Sequence, residues 1–121
     1  MKKVEILGEI YKVTTKIPTK YREEVDPSLY SGLCFREDKI IWISPTLSGQ
    51  EFYKTLIHEM GHALLYTNAV FFTGAISPEL EEIIVETNSN MVNKFIVSMF
   101  KDILKGDEKD LKSKLSAYID S

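Results

Sequence analysis

Ser48-Gly49-Gln50-Glu51-Phe52-Tyr53-Lys54-Thr55-Leu56-Ile57-His58-Glu59-Met60-Gly61-His62-Ala63-Leu64-Leu65 is the stretch whose reading decides the fold. Phe52, Tyr53, Leu56, Ile57, Met60, Ala63 and Leu64 share one arc at about 100° per residue, which predicts a helix with one stripe in a core. Its start is marked by the S-x-x-E capping box of Ser48 and Glu51, and Leu47 can staple onto Phe52. Thr55, His58 and His62 lie on the other side, with Glu59 at the edge. Residues four apart stand one turn above each other. Both imidazoles therefore point the same way, off the core and into a cleft.

Upstream the chain alternates and turns. Val4 to Leu7 and Ile10 to Ile17 are expected as strands joined at Gly8-Glu9, a pair suited to a tight hairpin. Pro18 to Ser31, with two prolines and several charges, is expected as a loop holding one short helical turn. A second hairpin follows, with Leu33 to Phe35, a polar turn at Arg36-Glu37-Asp38-Lys39, and Ile40 to Ser44. Ile40-Ile41-Trp42-Ile43 is β-branched and aromatic, as suits a buried strand.

Downstream, Thr67 to Gly74 is expected as a connection whose apolar Val70-Phe71-Phe72 packs down. Ser77-Pro78 opens a second long helix, with Ser as N-cap, Pro at the first helical position and acids in the first turn. It is expected to run to Lys105 and stop at Gly106. Met91, Phe95, Met99 and Phe100 then fall to the core, as does Trp42. Leu111, Leu115, Tyr118 and Ile119 give Asp107 to Ile119 an amphipathic helical pattern. The expected fold class is α+β. A small N-terminal antiparallel sheet packs on the His58–His62 helix and the second long helix, with a short C-terminal helix, all in one domain over 1–121.

His58-Glu59-Met60-Gly61-His62 is an H-E-x-x-H sequence, and the chain has no other histidine. Two imidazoles one turn apart can hold a single zinc ion, and the acid after the first can take a proton from water. A catalytic zinc takes three protein ligands and keeps one position open. With both histidines used, the third ligand is a carboxylate, or Cys34 as a weaker alternative. Acids cluster at the start of the second helix as Glu79, Glu81, Glu82 and Glu86. Glu86 is the expected ligand, because its ridge continues through Asn90 and Asn93, uncharged polar groups with Ser89 beside them. Asn90 would then steady the ligand carboxylate. Glu82, one turn earlier, is the alternative. The acids also complement a helix N-terminus. Tyr66 and Tyr30, nearest the motif in sequence, are candidates for stabilising an oxyanion or for simple packing.

Thr55-Leu56-Ile57-His58-Glu59-Met60-Gly61-His62-Ala63-Leu64-Leu65-Tyr66, followed by Glu82-Ile83-Ile84-Val85-Glu86-Thr87-Asn88-Ser89-Asn90, resembles small phage and prophage zinc metallopeptidases similar to the ImmA/IrrE-like branch of the gluzincins. The resemblance covers roughly residues 30 to 95. It implies a minimal zincin-like fold, a zinc cofactor held by two His and a downstream Glu, and Glu59 as catalytic base. It also implies a protein or peptide substrate, a host-cell cytoplasmic setting, and a strand at Ile40 to Ser44 along whose edge a peptide could pair, the alternative being a central core strand with no free edge. A zinc-containing module of the same fold that binds peptides without cutting them is the alternative function.

Other classes are less well served. A formal net charge of -3 provides no basic footprint for nucleic acid. The longest apolar runs, such as Ala69 to Phe72 and Ile83 to Val85, are far short of a membrane span. Glu5, Glu9 and Lys12 interrupt any apolar run after the basic start Met1-Lys2-Lys3, so no signal peptide is expected. One cysteine, Cys34, leaves no internal disulfide, which fits a reducing cytoplasm.

Overall fold

The computed structural model describes residues 2–69, 77–103 and 105–120. The chain is α+β, with four strands, β1 (Lys2–Ile6), β2 (Glu9–Thr14), β3 (Gly32–Phe35) and β4 (Ile40–Ile43). Three helices follow, α1 (Gly49–Ala69), α2 (Pro78–Asp102) and α3 (Glu108–Asp120). Two short 3₁₀ turns, Thr19–Tyr21 and Pro27–Leu29, lie between β2 and β3 where one helical turn was expected. No helix among the described residues is long and apolar enough to cross a membrane.

The strands form one sheet in the order β1-β2-β4-β3. Both hairpins are antiparallel as expected, but β2 and β4 run parallel, so the sheet is mixed. The long connection between β2 and β3 makes this possible, because it passes over the place that β4 will fill, and β3 then runs back so that β4 can start level with β2. The first turn also shifts by one residue. Ile6 pairs with Glu9, leaving Leu7 and Gly8 as the two-residue loop, and both take positive φ, 50° and 85°. That is the handedness a two-residue hairpin loop needs.

One sheet face carries Ile6, Tyr11, Val13, Ile41 and Ile43, packed with Phe52 and Ala63 of α1 and Ile119 of α3. Val4, Cys34, Leu47, Leu56, Met60 and Leu115 close around them. Leu47 and Phe52 thus share the core, as the staple predicts. Trp42 is buried as expected, on the other side of its strand, and its indole N–H donates to the Thr15 carbonyl at 3.2 Å. Helix α1 lasts longer than expected. Thr67 sits inside it, donating to the Ala63 carbonyl at 2.9 Å and lying 3.3 Å from the Tyr11 hydroxyl. The expected packing of Val70-Phe71-Phe72 lies outside the described residues.

Ser77 caps α2 as expected, its hydroxyl accepting from Leu80 N–H at 3.1 Å. The helix ends at Asp102, short of Lys105, and Lys105 rather than Gly106 takes a left-handed φ, 55°. Gly106 N–H then bonds the Phe100 carbonyl at 3.3 Å. The buried row of α2 is Val85, Ser89, Asn93 and Phe100. Of the apolar residues assigned to its core face, only Phe100 is buried, while Met91 and Phe95 are 65% and 67% exposed and Met99 is partly exposed. The reason is rotational: α2 turns its small and polar row toward the molecule. Leu64 of α1 is likewise exposed, on the side facing that helix.

Candidate metal centre

Helix α1 lies between the sheet and α2, and the histidines emerge in the gap between β3 and α2. The sheet side is closely fitted. A Cβ on Gly32 would come 2.7 Å from Thr55 Cγ2, 3.0 Å from Glu59 Cγ and 3.0 Å from the Trp42 carbonyl oxygen. Only a glycine lets β3 approach α1 here. On the other side a Cβ on Gly61 would sit 3.2 Å from Val85 Cγ1. That contact fixes how far along α1 the second helix crosses, and so which of its acids reach the histidines.

Three of them do. Glu82 faces both imidazoles, Oε1 lying 2.9 Å from His58 Nε2 and Oε2 3.1 Å from His62 Nε2. Glu86 approaches His58 from behind, its Oε2 2.9 Å from Nδ1. Glu81 does the same at His62, its Oε2 2.7 Å from Nδ1. The group able to share one cation is therefore His58, His62 and Glu82, whose ligand atoms all lie within 4.8 Å of one another. Glu86, the expected ligand, sits one helical turn beyond that group. Lys54 is the group beside it, Nζ to Oε1 3.8 Å, and among the described residues no hydrogen bond joins Asn90 to Glu86.

The donor set fits a zinc ion. A carboxylate accepts hydrogen bonds and cannot donate one when ionised. With the hydrogen of each ring on Nδ1, toward Glu81 or Glu86, both Nε2 lone pairs would face each other and Glu82. Three acceptors so close repel unless a cation or a proton lies among them. The two Nε2 atoms are 3.2 Å apart. Two nitrogens bound tetrahedrally at zinc's usual bond length would stand about 3.3 Å apart.

Glu59 is buried beside this group and is not one of the carboxylates paired with the histidines. Burial pushes its carboxyl up to about 7, with the neighbouring Glu82 charge adding to the rise and His58 and Arg36 opposing it. Cys34 lies on the adjoining strand, outside the ligand group and packed against the core. Burial pushes its thiol up to about 12, so it stays protonated at neutral pH.

Two cavities flank the histidines. One, about 220 Å³, is lined by Ser31, Gly32, Lys54, Thr55, Glu59 and Glu86 among others, and the second, about 280 Å³, by Leu33, Cys34, Arg36, His62 and Glu82. His58 and Glu59 line both. Neither Tyr30 nor Tyr66 lines either cavity. Arg36 is the group that sequence reasoning missed. Its guanidinium pairs with Glu81 and lies 5.4 Å from the centroid of the Tyr66 ring. It stands in the charged turn of a hairpin, where nothing in the sequence separates it from a solvated residue.

Ile40 to Ser44 has no free edge, as its reading as a core strand implies. β4 lies inside the sheet, and β3 is the edge beside the histidines. Ser44 N–H bonds the Ser31 carbonyl at 2.8 Å. By antiparallel alternation, the main-chain groups of Gly32 and Cys34 point outward, away from β4. Comparison with known protein families, with curated proteins and with solved structures finds no match to this chain.

Proposed function

We propose that the chain is a zinc-dependent metallopeptidase in which His58, His62 and Glu82 hold the metal and Glu59 is the general base. The observation that carries this is the convergence of two Nε2 atoms and one carboxylate beside a buried Glu59 that forms no ion pair among the described residues. Bound zinc supplies a Lewis acid that brings a water's pKa to near neutrality and polarises the scissile carbonyl. The Glu59 carboxylate accepts a proton from the attacking water and delivers it to the leaving amine nitrogen. A base raised toward neutral pH is matched to both transfers. The outward main-chain groups of Gly32 and Cys34 hold an extended peptide as an added strand, laying it across both cavities. Glu82 replaces Glu86 as the third ligand in this proposal, because it alone of the two faces both Nε2 atoms.

Glu59 also favours cleavage over mere binding. A site that only bound peptide would have no use for a desolvated acid that pairs with no cation among the described residues. The test is digestion of a mixed peptide library by zinc-loaded protein, read by mass spectrometry, beside metal analysis. Wild type should cleave, and Glu59→Gln should keep zinc while losing roughly a hundred- to ten-thousand-fold in rate. Glu82→Gln should weaken zinc binding roughly a thousandfold, a third of a typical binding free energy. Undiminished cleavage by Glu59→Gln, or a wild type that takes up no zinc, would sink the proposal.

A further inference from the structure

Each histidine has a carboxylate behind its Nδ1 and a cation behind that carboxylate. His62 Nδ1–H donates to Glu81 Oε2 at 2.7 Å, and that oxygen also accepts from the Arg36 guanidinium at the end of β3. At His58 the contact is looser: Glu86 Oε2 lies 2.9 Å from Nδ1 as an ion pair, and Lys54 Nζ lies 3.8 Å from the other oxygen. Both chains run imidazole, carboxylate, cation. They draw on three different elements, which no helix-terminus preference for acids would produce.

The chemistry of that order is specific. A carboxylate behind a ligand imidazole fixes the tautomer and ring direction and raises the basicity of the far nitrogen. The cation behind the carboxylate offsets charge that would otherwise accumulate beside Glu82 and Glu59. We infer that Glu81 and Glu86, backed by Arg36 and Lys54, are positioning residues that hold both histidines as Nδ1–H tautomers with Nε2 presented for metal. This inference rests on the zinc site proposed above. The two sides are unequal. The side chain of Glu81 is 16% exposed and that of Glu86 47%, and the Lys54 contact is the longer one. The Arg36–Glu81 side therefore governs more of the metal affinity.

The experiment pairs zinc titration against a competing chelator with ¹⁵N NMR of the histidine rings in metal-free protein. Glu81→Ala should raise the zinc dissociation constant roughly ten- to a hundredfold and mix the His62 tautomers. Glu81→Gln, which keeps an acceptor without the charge, should restore the tautomer and part of the affinity. Glu86→Ala should cost less than Glu81→Ala, and Arg36→Lys should recover affinity lost in Arg36→Ala. Glu81→Ala protein with wild-type tautomers and affinity within about twofold of wild type would overturn the inference. If wild type binds no zinc, the metal reading falls, while the tautomers still decide positioning: Nδ1–H supports it and Nε2–H rejects it.

Discussion

Helix α1 has two flanks, and they are built on different principles. Toward the sheet it buries Phe52 and Ala63 among Tyr11, Val13, Ile41 and Ile43, and nearby a Cβ at Gly32 would collide with Thr55. Toward α2 it meets Val85, Ser89 and Asn93, while Met91 and Phe95 of that helix point outward. The first flank fixes where the histidine helix and Glu59 stand. The second meets α2 through the close approach at Gly61 and through ion pairs to the histidines. Stability and site chemistry are thus largely assigned to opposite sides of one helix.

If that division is right, the greatest loss of stability comes from the sheet flank. Phe52→Ala should cost about 3–5 kcal/mol in denaturant unfolding, as a fully buried aromatic replaced by a void. A cost below that of an exposed residue would break the contrast.

Glu59 sits where the flanks meet, and its effect depends on pH. Folded protein binds its proton up to about 7, against 4.5 for the ordinary carboxyl. A group with a raised pKa leaves metal-free protein most stable below about 4.5. Stability then falls as pH rises toward 7 and levels off above it. Removing the charge removes that loss. Chelated Glu59→Gln should match wild type near pH 4 and exceed it by about 3 kcal/mol above pH 7. A gap that does not grow with pH would mean Glu59 is not desolvated.

The smallest effect belongs to the outer face of α2. Phe95→Gln should change unfolding free energy by no more than about 0.5 kcal/mol, since the ring is mostly exposed already. A large loss there would show that this face packs against something.

What the sequence made legible follows the range of the interactions concerned. The α1 stripe, the β3–β4 hairpin and the Ser77-Pro78 start are local patterns, and all appear where expected. The pairing of β2 with β4 is not local: a parallel pair leaves no turn between its strands for a reader to find. Met91 and Phe95 misled because apolar character alone does not say which row a neighbouring helix covers. For the site, His58, Glu59 and His62 come together as their spacing implies. Glu82 and Glu86 lie one turn apart on the same helix, and only the crossing set by Gly61 and Val85 separates their roles. Arg36 had no signal at all, since its value comes from meeting Glu81 across 45 residues of chain.

The parallel join between β2 and β4 also has a kinetic consequence. Each hairpin can zip up from its own turn, and α1 follows β4 after a few residues. Seating the first hairpin against the second requires closing the whole intervening loop, an entropic cost met before any contact repays it. Of the three pairings in the sheet, that one sets the pace at which a nascent chain becomes native.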